Sequence, residues 1–336
     1  MAPTAIERAT TMKAIVRDKF GSPDVLELQE VEKPELTDDG VLVRVRAASV
    51  NRLDWFDVTG TPWIARPITG LRGPKSRLIG VDFAGTVEAV GKEVTDLQPG
   101  DDVFGGRSGS FAEYVCVPTE VARKRVAGKP ANLTFEEAAA VPVAAISALQ
   151  GLRDHGQLQP GRKVLVNGAS GGVGTFAVQI AKALEAEETA VCSTRNVEQS
   201  RSLGADHVID YTREDFTRGG RRYDAILDVA GSKSWSQCRR VLNPHATLVM
   251  VGGPKSPLLG PLGHIAKVRL AAFRGSQKAV FFVANFNGPD LGVLRELLES
   301  GKVKPVVEKR YELGEVADAL RYMGEGHAQG KLVINA

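Results

Sequence analysis

Two short stretches carry the chain's plainest chemical signal: NGASGGVG at 167–174, and Ser193, Thr194 and Arg195 within VCSTRN. In the first, Gly171, Gly172 and Gly174 surround Val173, so little side-chain bulk keeps peptide N–H groups from approaching a phosphate. Ala169, Gly171 and Gly174 take the three places of a G-x-G-x-x-G fingerprint. Ala169 replaces the first glycine, which is tolerable if its φ stays negative. The apolar run KVLVNGA precedes the loop, and Ala177, Ile180, Ala181 and Leu184 follow at helical spacing. A phosphate placed there meets free N–H groups and the positive end of a helix dipole. A glycine loop alone could be a plain turn, but between a buried strand and an amphipathic helix it predicts a dinucleotide site.

Ser193 stands nineteen residues after Gly174, where an NAD site usually places an acid on the ribose. A carboxylate there would repel a 2′-phosphate. Hydroxyls donate to phosphate oxygens, and a guanidinium adds charge-assisted bonds of about 1.5–3 kcal/mol each. Ser193, Thr194 and Arg195 therefore predict NADPH as the cofactor. The bland alternative leaves Arg195 as a solvated residue at a helix start.

These groups need elements to position them. From Met12 to about Asn132 short strands alternate with Gly and Pro, as in MKAIVRD, VLVRVRAASV, VDFAGTVEAVG, DDVFG and FAEYVCVP, which predicts a barrel-like β domain. Thr134 and Glu137 form a capping box opening an alanine-rich helix that Pro142 should kink near its middle. KVLVNGA, TAVCS, HVIDY, DAILDVAG and TLVMVGG then read as buried strands with helices between them, a doubly wound α/β domain. Two more helices follow, one with Leu291, Leu294 and Leu298, the other with Val316, Ala319, Leu320 and Met323. KLVIN near the end reads as a strand returning to the first domain.

Composition excludes several classes. The 336 residues suffice for about two domains with proper cores, and 43% hydrophobic with 25% charged residues is ordinary for a globular chain. A net charge of +3, spread without a dense basic run, gives no sign of nucleic-acid binding. Cys116, Cys192 and Cys238 stand far apart and imply no disulfide framework, which suits a cytoplasmic location. Residues 1–11, MAPTAIERATT, show no secretory signal and are expected to be a disordered extension; no run reaches the ~18 apolar residues of a membrane span.

In order along the chain, SVNRLD, GVDFAGTVEAVG, PGDDVFG, FAEYV, NGASGGVG, LGADHVIDY and GKLVI resemble the medium-chain dehydrogenase/reductase superfamily. The likeness runs from about Met12 to the C-terminus and is nearest to the zinc-free, quinone-oxidoreductase-like branch that includes zeta-crystallin. The resemblance implies a GroES-like barrel domain at 12–133 and 281–336 and a Rossmann domain at 134–280. Zinc-using relatives place Cys and His-Glu where this chain has Asn51 and Val81-Asp82, and the four-cysteine structural lobe is missing, so no metal is expected. Without a Lewis acid to activate an alcohol, the resemblance favours hydride transfer to a small, apolar, electron-poor acceptor, a quinone or an α,β-unsaturated carbonyl. A metal-free carbonyl reductase or alcohol dehydrogenase remains the alternative within enzymes. A non-catalytic NADPH-binding protein, regulatory or nucleic-acid-binding, is the alternative outside them.

By the same resemblance Asn51 lies near the nicotinamide and could bond the carboxamide or the acceptor's oxygen, or else serve as a turn-former. Asp54 and Asp82 read as structural acids. Trp55 and Phe56 stand where many quinone-reducing relatives carry a tyrosine, leaving no obvious proton donor. Tyr211 matches a residue at the adenosine 2′-phosphate, Ser147 a hydroxyl position near the nicotinamide, and Lys331 the GK ending beside the cofactor cleft. Gly231, Gly252 and Gly253 end later strands at the edge where ribose and nicotinamide should lie. Glu185 replaces a helix-ending glycine and suggests a longer helix or a different cap. Residues 253–286 mix Leu258, Leu259, Leu262, Ile265, Val268 and Leu270 with Lys and Arg. Such a stretch fits a substrate entrance, the edge of a homodimer or, less readily, peripheral membrane contact.

Overall fold

A computed structural model of the protein describes residues 10–61, 66, 70, 73–252, 263, 266, 268, 270, 275–326 and 328–336. Among these are fifteen strands and six principal helices, and thirteen of the strands build two sheets of chemical interest. Strands β1 (Thr11–Val16) and β2 (Glu27–Glu32) form a hairpin-like pair. The barrel-like sheet is built from β3 (Gly40–Val50), β4 (Asp82–Val90), β5 (Asp102–Gly106), β6 (Tyr114–Pro118) and β7 (Val126–Gly128). The second sheet contains β8 (Lys163–Asn167), β9 (Glu187–Cys192), β10 (His207–Asp210), β11 (Tyr223–Asp228), β12 (Leu242–Met250) and β13 (Lys278–Phe281). The chain closes with β14 (Val307–Glu312) and β15 (Lys331–Asn335). The helices are α1 (Arg52–Thr59), α2 (Phe135–Ala139), α3 (Pro142–Gln150), α4 (Gly172–Ala183), α5 (Gly288–Glu299) and α6 (Val316–Glu325).

The second sheet runs β10-β9-β8-β11-β12-β13, every neighbouring pair parallel. Strand order reverses between β8 and β11, and the crevice at such a switch point is where doubly wound sheets bind ligands. Its central strands are apolar on both faces: Val164, Leu165, Val166, Ile226 and Leu227 are all buried. The barrel sheet runs β14-β15-β3-β4-β5-β7, with β6 also on β3. KLVIN does return to it, with Leu332 opposite Val50 on β3. Helix α3 lies at the junction, since Ala144, Ile146, Ala148 and Leu149 share one core with Ala47, Ala84 and Phe104 of the barrel, Val164 of the parallel sheet and Phe176 and Ala177 of α4.

Three local expectations need correction. Pro142 does not kink one long helix; it separates two. The Thr134–Glu137 capping box opens α2 as expected, with Glu137 N–H donating to Thr134 Oγ1 at 3.2 Å, but α2 stops at Ala139. Pro142 is then the first residue of α3, where its missing N–H costs nothing. Glu185 does not lengthen α4 either. The helix ends at Ala183 and Glu185 itself takes φ +59°. Thr11, expected to fall in the N-terminal extension, instead opens β1 opposite Glu32, while residues 1–9 lie outside the described residues. Of the amphipathic stretch, Leu258, Leu259, Leu262 and Ile265 lie outside the described residues, as does Gly253; Val268 is buried and Leu270 exposed.

Candidate active site

The loop after β8 follows from its glycines. Gly168 has φ +94°, a conformation that suits glycine, while Ala169 is not among the residues with positive φ, so its side chain is tolerated. A Cβ on Gly174 would stand 2.1 Å from Gly168 O, so α4 can pack this closely on the strand only with glycine there. A Cβ on Gly171 would meet nothing nearer than Gly168 O at 3.7 Å, leaving open space over the α4 N-terminus. Val173 packs its side chain on the core instead. These residues fit a pyrophosphate: a helix of twelve residues begins at Gly172, with no side-chain cap on its first N–H groups.

Ser193, Thr194, Arg195 and Tyr211 come together around one cavity of about 400 Å³. Ser170 from the glycine loop and Thr212 also line it. Gly326 and Ala328, from the segment between α6 and β15, wall it from the barrel side; sequence reasoning missed them because no local pattern marks a wall supplied from over a hundred residues away. Tyr211 is 61% exposed, so its ring is available for stacking. Ser193 Oγ accepts from Asn196 Nδ2 at 3.2 Å and keeps its own proton to donate. The cavity thus offers hydroxyls, a ring and a guanidinium, a set that fits an adenosine 2′-phosphate.

Ser147, Gly231 and Gly252 do not line that cavity. Asp228, ending β11, accepts from Asn167 Nδ2 at 2.8 Å and from Gly231 N–H at 2.9 Å. Gly231 takes φ +63°, which favours glycine, and a Cβ on Gly252 would sit 2.1 Å from Val229 O, which excludes any other residue there. The Ser147 hydroxyl donates to Val143 O at 2.7 Å, one turn back in α3, leaving only lone pairs for a ligand.

Asn51 occupies a buried polar cluster between the two sheets. It is the N-cap of α1, and its backbone N–H donates to Asp54 Oδ2 at 2.7 Å. Its side-chain Nδ2 donates to Asp82 Oδ2 at 2.8 Å and to Ser49 O at 3.3 Å, while its Oδ1 accepts from Lys331 Nζ at 2.6 Å. Lys331 Nζ also donates to Val50 O at 3.0 Å and lies 3.8 Å from Asp82 Oδ2. Asp82 further accepts from Ser49 Oγ and from Val143 N–H, so it caps α3 from the barrel side. Asn51, Asp54, Asp82 and Lys331 are all buried. The Lys331 ammonium is therefore turned into the barrel, although its stem borders the glycine loop. Trp55 packs away from the cluster, where a Cβ on Gly324 would meet its ring at 2.6 Å.

Burial pushes the Asp54 carboxyl from 3.8 up to about 8, against the pull of the Asn51 N–H, so it is a neutral acid at pH 7. Burial also pushes Asp82 up and Lys331 down. Asp82 receives the Asn51 amide and the Val143 N–H and lies 3.8 Å from the Lys331 ammonium, which stabilise a negative charge on it, and we assign it as a carboxylate paired with that ammonium. Among the described residues no three His, Cys, Asp or Glu side chains cluster as metal ligands would.

Family models place residues 37–126 in the alcohol dehydrogenase GroES-like domain and 203–334 in the zinc-binding dehydrogenase family. The chain is 35% identical to the 2-methylene-furan-3-one reductase of Solanum lycopersicum, over 99% of its own length and 81% of the relative's. It is 35% identical to the chloroplastic NADPH-dependent alkenal/one oxidoreductase of Arabidopsis thaliana, over 96% and 79%. The quinone oxidoreductase of Coxiella burnetii superposes with a TM-score of 0.86 at 30% identity, over 97% and 99%. With a parallel sheet in Rossmann order, a GroES-like barrel and an amide where zinc relatives need a thiolate, the chain belongs to the medium-chain dehydrogenase/reductase superfamily, in its zinc-free quinone-oxidoreductase-like branch.

Proposed function

We propose that this protein is an NADPH-dependent, metal-free reductase that delivers hydride to a quinone or an α,β-unsaturated carbonyl. The observation that carries the reading is the cavity beyond the glycine loop, where Ser193, Arg195 and Tyr211 converge with no carboxylate among the residues that line it. NADPH held there supplies the hydride. Gly171, Gly172, Val173 and Gly174 would hold its pyrophosphate, Ser193, Thr194, Arg195 and Tyr211 its adenosine end, and Ser147, Gly231 and Gly252 would border its ribose and nicotinamide. Names of relatives support the acceptor class: one reduces a methylene-furanone, another alkenals and enones, and the superposed neighbour is a quinone oxidoreductase.

The acceptor must be electrophilic before it binds, because positions 51 and 81 carry Asn and Val rather than zinc-binding side chains. Asn51 is the polar side chain we place beside the reacting atoms. Its longer bond, 3.3 Å to Ser49 O, is the one a substrate oxygen could take over. Residues 12–133 and 281–336 form the catalytic domain in this reading, and 134–280 the cofactor domain.

The test is a panel of quinones, enones and aldehydes assayed for NADPH and NADH oxidation. Turnover of quinones or enones with NADPH supports the reading; turnover of aldehydes alone moves the protein to the carbonyl reductases. We also infer a homodimer joined along the outer edge of β13, beside the 67%-exposed Val283, which light scattering would detect. Three free cysteines support a reducing compartment, and we place the protein in the cytoplasm, to be checked by fractionation. Among the described residues no helix is long and apolar enough to cross a membrane.

A further inference from the structure

Lys331 stands in an unusual place for a residue beside a phosphate loop. Its aliphatic stem passes under the first turn of α4: a Cβ on Gly172 would come 2.9 Å from Lys331 Cδ. Its ammonium then continues away from the loop to Asn51 Oδ1 and Val50 O. On the other side of the same carboxamide, Asp82 receives Nδ2. One amide is thus clamped between a cation on its oxygen and an anion on its nitrogen.

Turning that carboxamide over would set NH₂ against the ammonium and the oxygen against the carboxylate. Both contacts would become repulsive, in a site where burial strengthens such interactions. The clamp therefore admits one orientation of Asn51. We propose that Lys331 is a positioning residue for the reaction: braced by Gly172, it locks the Asn51 carboxamide with Oδ1 inward on the ammonium and Nδ2 beside Asp82. The amide hydrogen bonded only loosely to Ser49 O is then always presented on the same side. Gly172 on this account is glycine to let the lysine pass as well as to let phosphate approach.

The inference rests on the placement of Asn51 at the reacting atoms. Its first readout, however, needs neither cofactor nor turnover. In protein labelled with ¹⁵N-asparagine, the Asn51 side-chain amide pair is assigned by its loss in Asn51→Ala. Lys331→Met keeps the stem and removes the charge. It should shift that pair or broaden it by flipping; an unmoved pair overturns the proposal.

The second readout uses 1,4-naphthoquinone and trans-2-nonenal as acceptors. Lys331→Met should lower kcat at least 10-fold while the Kd for NADPH, read by nicotinamide fluorescence, stays within about 3-fold. Adding Asn51→Ala should cost little more, because both changes disable one group. A Kd raised more than 10-fold with kcat intact would make Lys331 a phosphate ligand and overturn the proposal, as would fully additive losses. If Lys331→Met does not fold, Lys331→Arg takes its place, since the longer guanidinium keeps the charge but displaces the amide. There too an unmoved amide pair and unchanged kcat overturn it. A shifted amide pair in a protein that reduces no acceptor would leave the clamp standing and sink the reductase reading instead.

Discussion

The Thr194 hydroxyl donates to Asp210 Oδ2 at 2.6 Å, and this bond decides which groups of VCSTRN can serve a 2′-phosphate. Asp210 ends β10 directly beside Cys192 and also accepts from the hydroxyl and the backbone N–H of Thr212. Its carboxyl lies below the usual range, chiefly because of the Thr194 bond, so it is ionised and can only accept. Thr194 has one proton, and Asp210 takes it. Ser193 has no such claim on its proton.

Within the proposed 2′-phosphate site the three residues should therefore separate. Arg195→Ala should weaken NADPH binding about 10- to 100-fold, equivalent to about 1.5–3 kcal/mol, and leave NADH nearly unchanged. Ser193→Ala should weaken NADPH selectively by a smaller factor, and Thr194→Val should act on both cofactors by loosening the loop. Titrating each variant with NADPH and NADH checks the pattern. Equal losses for both cofactors in Arg195→Ala would reduce that residue to a support of the fold.

Metal content gives a second check. A zinc ion at the position of its relatives' sites would have an amide oxygen for a ligand, and that oxygen already holds the Lys331 ammonium 2.6 Å away. A divalent cation would sit against a fixed positive charge. Purified protein should carry far less than one zinc per chain by elemental analysis, and turnover should survive prolonged chelation. A tightly held stoichiometric zinc would contradict this.

The convergence of Ser193, Thr194, Arg195 and Tyr211 on one cavity beyond the glycine loop was legible in the sequence because its signals are local. The loop, Ser193 and Arg195 fall within thirty residues, and a buried strand followed by a helix fixes how they lie. The polar cluster was not legible. Asn51, Asp82 and Lys331 come from three distant stretches, and only the pairing of β15 with β3 and of β3 with β4 brings them together. Nothing in the spacing of single Asn, Asp and Lys residues announces such a contact. Pro142 misled for a related reason: a proline inside an alanine-rich run fits a kink or a fresh helix start equally well, and here the tertiary anchor of Val143 N–H on Asp82 favours the start.

Asp54 should make stability fall with pH. Its carboxyl titrates near 8 in the folded chain and near 3.8 otherwise, so between those values the folded state holds a proton that the unfolded state has lost. Stability from this group is complete below about pH 4 and is lost as pH rises towards 8, by at most ~1.4 kcal/mol per pH unit. Asp54→Asn keeps an acceptor for the Asn51 N–H but cannot ionise. The parent should lose stability relative to this variant from pH 5 to pH 8 in parallel denaturation series. A difference that does not change with pH would mean that Asp54 is ionised in the folded protein.

Glu185 gives the cleanest test of backbone energetics. Helix α4 ends in a pair of bonds, Ala186 N–H to Ala181 O at 3.1 Å and Glu185 N–H to Lys182 O at 2.9 Å, the pattern of a Schellman close. That close needs a left-handed residue at position 185, and Glu185 provides it at φ +59° despite its Cβ. The conformation costs a non-glycine residue about 1–2 kcal/mol, and the greater freedom of glycine in the unfolded chain returns part of that. Glu185→Gly should therefore stabilise the protein by roughly 0.5–1 kcal/mol, read as a higher urea midpoint with an unchanged slope. The side chain is exposed and lies at the end of α4 opposite the glycine loop, so NADPH affinity should not move. Glu185→Ala is the control, because alanine removes the charge but still carries a Cβ at positive φ. If alanine stabilised as much as glycine, the gain would come from the lost carboxylate and the strain account would fail.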